Sequence, residues 1–257
     1  MGGARVPPML HLVRHGAPTE TPTLLVAHGL FGSARNWGVV AKRLAEGREV
    51  VAVDMRNHGA SPWHDEHSYE AMAGDLREVM GDGRWDVLGH SMGGKAAMVL
   101  ALRHPECVRR LVVADIAPAA YGHTQAPLIR AMRAVDLSAV SRRSEVRAQL
   151  EDVPDDGTRD FLCQSLDLGE RRWSLNLDAL EREMPRIMGF PDLDGAFDGP
   201  ALFLAGADSD YVRPEHHARI RTLFPAATFE AIPGAGHWLH ADRPREVEAA
   251  VRRFLDA

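Results

Sequence analysis

The chain has 257 residues, of which 45% are hydrophobic and 26% are charged, and these values are typical of a globular protein with one sizeable core. Its formal net charge of −6 provides no basic field that would attract nucleic acid, and no apolar run approaches the length of a transmembrane helix. Because Cys107 and Cys163 are too few for a disulfide framework and residues 1–8 lack the apolar core of a signal peptide, we expect a cytoplasmic protein with reduced thiols and no membrane partner.

Strand-like and helix-like segments alternate along most of the chain. This alternation predicts an α/β fold with a mostly parallel central sheet flanked by helices. It stops at about residue 118, where helical patterns follow one another, and it resumes at Ala201. We therefore predict a single domain over 1–257 with an insertion at about 118–197. The predicted strands are 9–14, 23–27, 50–53, 85–88, 111–114, 201–206 and 228–232, and the predicted helices are 34–45, 69–80, 94–102, 126–134, 144–150, 158–166, 173–188 and 243–255.

The residues Gly89-His90-Ser91-Met92-Gly93 fit the pattern Gly-x-Ser-x-Gly, and their surroundings make the match specific. A buried strand is predicted before them and a helix after them, which is the setting that holds a nucleophilic serine above the edge of a sheet. The turn strains the backbone at the serine, and side chains at the flanking glycines would collide with neighbouring backbone. We predict Ser91 as the nucleophile. The alternative is a glycine-rich turn with an idle serine.

A serine hydroxyl needs a general base at neutral pH. Among the 13 histidines, His237 lies in a loop of small residues between a predicted strand and the C-terminal helix. It also follows the serine in the chain, as the chain order of enzymes with this serine turn requires. His28 and His58 each lie beside a glycine after a strand, and we interpret them as hydrogen-bonding residues of loops.

An oxyanion-binding feature is predicted in the glycine-bearing turn over residues 28–33, which follows the strand at 23–27. A backbone N–H of such a turn can point at a developing oxyanion. We predict Leu30 as this donor, with Phe31 as the alternative. The second donor is the N–H of Met92, directly after the nucleophile. The remaining interpretation is a plain tight turn.

Together these blocks resemble the α/β-hydrolase superfamily, and from about Thr23 to the C-terminus they are similar to small bacterial carboxylesterases of the YbfF type. The resemblance implies an α/β-hydrolase fold with a helical cap inserted after strand 6 of the family's scheme. It also implies a serine hydrolase of carboxylesterase type that needs no cofactor and no metal. The motifs that carry the resemblance are His28-Gly-Leu-Phe-Gly-Ser33, Asp54-Met-Arg-Asn-His-Gly59, Gly89-His-Ser-Met-Gly-Gly-Lys95 and Asp115-Ile-Ala-Pro118.

The acid of the catalytic triad is open between two places. Many members of the superfamily carry it three residues past a glycine after strand 7, and counting from Gly206 that position is Ser209, flanked by Asp208 and Asp210. The superfamily also uses the position after strand 6, which is Asp115 here. Esterases of the YbfF type resemble this chain in lacking the usual strand-7 acid. We therefore favour Asp115 over Asp210 and Asp208, whose other interpretation is a solvated turn.

The substrate pocket is expected under the cap, because ligand clefts are mostly apolar. Phe31, Met92 and Trp238 adjoin the predicted catalytic loops, and we predict them as pocket walls for a small-molecule ester that is uncharged and apolar. The same fold and triad can also hydrolyse thioesters or C–C bonds, eliminate, or form peracids, and the fold can serve as a non-enzymatic receptor. The apolar cap residues, of which we expect a minority to touch substrate, are Leu128, Ile129, Met132, Phe161, Leu166, Trp173, Met184, Met188 and Phe190.

Two other motifs are interpreted as structural. Arg14-His15-Gly16 matches the signature of histidine phosphatases, in which a helix must follow the histidine. Because a new strand is predicted from Thr23, we interpret this motif as a hairpin turn. The pairs His216-His217 and His64 with His67 lack the spacing of metal ligands, so we interpret them as surface histidines and predict no metal site.

Overall fold

A seven-stranded sheet forms the centre of the computed structural model, which describes residues 10–257. The strands are β1 (Leu12–His15), β2 (Leu24–Ala27), β3 (Val50–Val53), β4 (Trp85–His90), β5 (Val108–Ala114), β6 (Leu166–Asp167), β7 (Arg172–Trp173), β8 (Ala201–Gly206) and β9 (Ala227–Ile232). The strand order in the sheet is β1-β3-β2-β4-β5-β8-β9; β1 is antiparallel to β3, and the other neighbouring pairs are parallel.

Helices cover both faces of this sheet, because successive strand residues point to opposite sides. Leu24 and Val26 pack in one buried cluster with α1 and α11, whereas Leu25 and Ala27 pack in another with α2, α3 and the cap. The helices are α1 (Gly38–Leu44), α2 (Tyr69–Met80), α3 (Met92–Arg103), α4 (Ala126–Ala134), α5 (Arg143–Gln149), α6 (Asp156–Gln164), α7 (Leu177–Arg182), α8 (Met184–Met188), α9 (His217–Leu223), α10 (Leu239–Asp242) and α11 (Pro244–Asp256).

The cap lies between β5 and β8, and it contains α4 to α8 together with the two-stranded hairpin β6–β7. The single helix predicted over 173–188 is wrong. Trp173 lies in β7, and Asn176 begins α7 by accepting a hydrogen bond from the N–H of Ala179. Pro185 has no N–H with which to continue α7, so the chain starts a new helix, α8.

Two further predictions about the N-terminal region need correction. The predicted helix over 34–45 begins as a 3-10 turn at Ala34–Trp37 and becomes α-helical only from Gly38. The turn at Gly16 is not a hairpin, because β3 lies between β1 and β2 in the sheet. Met9, the start of the first predicted strand, lies outside the described residues.

None of the helices in residues 10–257 is long and apolar enough to cross a membrane.

Candidate active site

Ser91 lies in the turn between β4 and α3, at the carboxyl edge of the sheet. Its backbone has φ 51° and ψ −118°, a region that is costly for a residue with a side chain. A Cβ at Gly89 would lie 2.3 Å from the carbonyl oxygen of Gly93, and a Cβ at Gly93 would lie 2.5 Å from the carbonyl oxygen of Ala27. Both glycines are therefore required by close backbone approach, and together they permit the strained serine turn.

His237 lies between Ser91 and Asp115. Its Nε2 is 3.0 Å from Ser91 Oγ, and its Nδ1 is 2.7 Å from Asp115 Oδ2. Because a carboxylate only accepts, Nδ1 carries the proton and Nε2 is left to accept from the serine hydroxyl. The three predicted side chains thus form one hydrogen-bonded series.

Asp115 is fully buried directly after β5, with a φ of 50°. Its Oδ1 accepts a hydrogen bond from the N–H of Gly206 at 3.0 Å, and its Oδ2 accepts one from the Ser209 hydroxyl at 2.5 Å. Ser209, at the position where many superfamily members carry the acid, therefore donates to a carboxylate that arrives from the neighbouring strand.

The two alternative carboxylates face solvent. Asp208 is exposed, and its backbone N–H donates to the carbonyl oxygen of Ala235. The Asp210 side chain is 89% exposed and lies 3.6 Å from the Arg213 guanidinium. Of the three candidate acids, the structure brings only Asp115 within hydrogen-bond distance of His237.

The predicted oxyanion turn packs against the serine turn, since a Cβ at Gly29 would lie 3.1 Å from Ser91 Cβ. The N–H of Phe31 donates to His58 Nε2 at 3.2 Å, so it is already occupied. Met92 is the first residue of α3, and its N–H has no intrahelical acceptor. Within residues 10–257, the hydrogen bonds include none from the N–H groups of Leu30 and Met92, which leaves both available to a ligand oxygen.

Two buried histidines support this turn from behind. His28 Nε2 accepts from the N–H of Met55 at 2.9 Å, and His58 Nε2 accepts from the N–H of Phe31. Each Nδ1 donates to a backbone carbonyl, at 2.8 Å in both cases. Burial lowers the pKa of His28 and lowers that of His58 further, which keeps the accepting nitrogens unprotonated. These contacts agree with the interpretation of both residues as loop-stabilising hydrogen bonders.

The interpretation of His67 as a surface histidine is wrong, because its side chain is fully buried. Its Nδ1 lies 3.2 Å from the Asn57 amide, and its Nε2 lies 3.3 Å from Met92 Sδ. Burial lowers the pKa of His67 to about 3. The His67 ring is therefore uncharged at neutral pH, and it contacts the side chain of Met92, the first residue of α3.

A second group of rings surrounds His237. His90 Nε2 donates to the carbonyl oxygen of His237 at 2.8 Å, which ties the end of β4 to the loop that carries this histidine. Tyr211 stacks on the His237 ring at 4.0 Å, and His240 stacks on Trp37 at 4.5 Å. Burial lowers the pKa of His240 to about 3 and that of His90 well below its usual value. His237 therefore lies among rings that stay uncharged at neutral pH.

A cavity of about 260 Å³ opens at Ser91, between the sheet edge and the cap. Phe31, Met92 and Trp238 all line it. Of the apolar cap residues, Leu128, Phe161 and Met188 line the cavity, whereas the others belong to the core or its margin. Sequence reasoning missed several further lining residues, among them Lys95, Tyr121 and Tyr211.

One of these missed residues had a usable signal. Lys95 is the last residue of the serine motif and follows the nucleophile by one helical turn, so it could have been expected at the site. Tyr121 and Tyr211 lie in irregular loops whose course no local pattern predicts.

The other histidine pair, His216 and His217, makes structural contacts. His216 Nδ1 accepts from the N–H of Arg213 at 3.2 Å, and His217 stacks on Phe229 at 4.0 Å. Across residues 10–257, no group of three or more His, Cys, Asp or Glu side chains is arranged to hold a metal ion.

The fold and the arrangement around Ser91 are those of a hydrolase built on a parallel sheet. A family model described as the alpha/beta hydrolase family matches residues 24–250. The chain belongs to this family.

Individual relatives narrow the class. The sn-1-specific diacylglycerol lipase ABHD11 of Mus musculus is 44% identical over 248 residues, which are 91% of this chain and 81% of the relative. Esterase YbfF of Escherichia coli (strain K12) is 38% identical over 243 residues, which are 92% of this chain and 94% of the relative. A solved structure described as a marine microorganism esterase has a TM-score of 0.90 at 37% identity, and the match covers 96% of this chain and 99% of that one.

These findings confirm the predicted α/β-hydrolase fold and the predicted relationship to YbfF-type esterases. The protein is a hydrolase of the esterase class.

Proposed function

We propose that the protein hydrolyses small, uncharged carboxylic esters through an acyl-enzyme on Ser91. The observation that carries this proposal is the hydrogen-bonded series Ser91–His237–Asp115, with separations of 3.0 and 2.7 Å, at an apolar cavity. A hydroxyl that donates to a neutral imidazole nitrogen can lose its proton as it attacks a carbonyl carbon. A carboxylate on the other ring nitrogen fixes the tautomer and stabilises the imidazolium that forms.

The proposed reaction has two halves. Ser91 Oγ attacks the ester carbonyl while His237 Nε2 removes its proton, and the N–H groups of Leu30 and Met92 bind the oxyanion. His237 then gives the proton to the leaving alcohol. In the second half, a water molecule loses its proton to the same nitrogen and attacks the acyl group, which releases the acid and restores Ser91.

The cavity supports a substrate of modest size. Its volume of about 260 Å³ is slightly below the roughly 300–1,000 Å³ of pockets that bury drug-sized ligands. Its walls include Phe31, Met92, Phe161 and Trp238, which favour apolar groups. A diacylglycerol, the lipid in the name of the mouse relative, is a much larger ester and belongs in the test as a competing substrate class.

The test begins with a fluorophosphonate, a reagent that mimics an ester and reacts with activated serines. We expect mass spectrometry to find the adduct on Ser91, and we expect Ser91→Ala to lose both labelling and hydrolysis of p-nitrophenyl esters. Ser141→Ala, at an exposed serine of the cap, is the matched control. An adduct elsewhere, or hydrolysis by Ser91→Ala at the wild-type rate, overturns the nucleophile.

The base and the substrate class need separate measurements. His237→Ala should slow fluorophosphonate labelling strongly, because the serine hydroxyl is then no longer activated. Rates over p-nitrophenyl esters of increasing chain length, with thioesters, amides and a diacylglycerol alongside, identify the substrate class. A thioester or a diacylglycerol that reacts faster than every simple ester would contradict the proposed class and leave the nucleophile unaffected.

A further inference from the structure

Lys95 is buried in the wall of the active-site cavity, although lysine is among the residues least often found inside proteins. It lies on α3 one turn after Ser91, and its backbone N–H donates to the Ser91 carbonyl oxygen at 3.0 Å. The sequence contains one other lysine, Lys42, which is exposed on α1; all its other basic side chains apart from histidine are arginine. Among the described residues that line the cavity, Lys95 is therefore the one lysine or arginine. A buried lysine, unlike an arginine, can lose its proton.

The Lys95 ammonium binds the end of α8. Its Nζ lies 3.5 Å from the carbonyl oxygen of Ile187, 3.1 Å from that of Met188 and 2.5 Å from that of Gly189. The last carbonyls of a helix have no partner inside the helix, and a cation placed there is stabilising. Because an ammonium carries three N–H groups, these carbonyls can occupy all of them.

The other groups around Nζ do not neutralise its charge. The rings of Tyr121, from the loop after β5, and Tyr69, from α2, face it at 4.8 and 5.6 Å. Burial raises the pKa of both phenols, so they stay uncharged. Burial, and then the charges of His237 and Lys95, lower the pKa of His123. Among the ion pairs within residues 10–257, none includes Lys95.

Two of the three carbonyls that Lys95 binds belong to the cavity wall, since Ile187 and Met188 both line the cavity. We propose that Lys95 is a specificity-determining residue, which holds the end of α8 against α3 and so limits the length of the acyl chain that the cavity accepts. The inference rests on the proposed ester hydrolysis at Ser91. Loss of the Nζ proton removes one donor and the charge, which weakens the hold on α8. Burial lowers the pKa of Lys95 to about 7, so this loss falls near neutral pH.

Acyl-chain selectivity tests the proposal. The readout is the ratio of kcat/KM for p-nitrophenyl octanoate to kcat/KM for p-nitrophenyl acetate. Lys95→Met keeps an unbranched side chain but has no side-chain N–H, so we expect α8 to move more freely. The ratio should rise by roughly 10-fold, the lower end of the selectivity that one methylene provides in a pocket. Lys42→Met, which removes the exposed lysine, should keep the wild-type ratio.

The pH dependence of the same ratio supplies an arm that requires no variant to fold. Any ionisation of the free enzyme that affects both esters alike multiplies the two kcat/KM values equally and therefore cancels in the ratio. We expect the wild-type ratio to rise between about pH 6 and about pH 8, as Lys95 loses its proton, and the ratio of Lys95→Arg to stay constant because arginine remains charged. The Lys42→Met ratio should follow that of wild type.

A wild-type ratio that is constant with pH, or a folded Lys95→Met with the wild-type ratio, overturns the role of Lys95. If wild type and Ser91→Ala hydrolyse both esters equally slowly, the proposed function fails instead. The two failures are therefore distinguishable.

Discussion

Two buried histidines near the site should make the stability of this protein sensitive to acid. Burial lowers the pKa of His67 and of His240 to about 3, from an ordinary value of 6.5. In the window between these values, the unfolded chain binds protons that the folded chain excludes. By linkage, the free energy of unfolding is therefore highest above pH 6.5 and falls as the pH is lowered towards about 3.

The size of the effect follows from the width of this window. Within this window, each decrease of one pH unit lowers the free energy of unfolding by about 1.4 kcal/mol per histidine. At about pH 5 each histidine should thus remove about 2 kcal/mol, and the two together about 4 kcal/mol. A typical domain is held folded by roughly 5–15 kcal/mol, so the loss is a substantial share.

Urea unfolding at about pH 7.5 and about pH 5 measures this difference. His67→Asn removes one of the two rings, so its free-energy difference between the two pH values should be about 2 kcal/mol smaller than that of wild type. His104→Asn, at a side chain that is 40% exposed, controls for the loss of a histidine from the surface. If wild type is equally stable at both pH values, or if His67→Asn keeps the full difference, burial does not exclude protons from these rings and the reasoning is refuted.

Three further predictions about substitutions can be checked by ester kinetics and thermal unfolding. For Asp115→Asn we expect kcat to fall roughly 10²–10³-fold through the wrong histidine tautomer, while Asp210→Asn keeps its kcat. If Asp210→Asn instead loses more kcat than Asp115→Asn, the acid is Asp210. Ser209→Ala removes the hydrogen bond to the Asp115 carboxylate, which is worth about 1.5–3 kcal/mol, so kcat and Tm should fall together. If both kcat and Tm are unchanged, this hydrogen bond has no role in activity or stability. Gly93→Ala places a Cβ 2.5 Å from a β2 carbonyl oxygen, and we expect a large loss of Tm. Gly74→Ala has open space around the new Cβ and should match or exceed the wild-type Tm; equal behaviour of the two alanine variants would contradict the steric argument.

The serine turn and the main strands could be predicted from the sequence because local patterns specify them. Glycine at position 89 is required by contact with Gly93 inside one strand–turn–helix unit, whereas glycine at position 93 is required by contact with the carbonyl oxygen of Ala27 in β2. The strand at Val50–Val53 and the helix at Tyr69–Met80 have the predicted bounds, since strands buried on both faces are continuously apolar and this helix begins at a capping serine.

The position of the proposed acid was harder to predict, because it depends on which strand ends meet in space. β5 and β8 are neighbours in the sheet, although the whole cap separates them in the chain. A spacing rule counted along β8 reaches Ser209, and only the folded sheet brings Asp115 to the same point. The preference for Asp115 came from a family resemblance, and no local pattern required it.

Local sequence patterns also could not predict the detailed structure of the cap or the burial of particular polar residues. The strands β6 and β7 have two residues each, too few to produce an alternating pattern. His67 lies in a polar stretch of sequence and is nevertheless fully buried, because the helix that follows it packs on the sheet. Burial of a histidine or a lysine depends on partners from distant parts of the chain.

The carboxylate of Asp115 accepts hydrogen bonds from Gly206, Ser209 and His237, and two of these donors belong to β8 and the loop after it. The proposed triad acid therefore also joins two neighbouring strands. Selection for heat resistance or yield alone would retain this aspartate even in a descendant without activity. The Ser91 hydroxyl, which bonds to His237, has no comparable part in joining strands. Among homologues of this chain, the proposed nucleophile is thus the better marker of a working enzyme, and the aspartate is the better marker of an intact sheet.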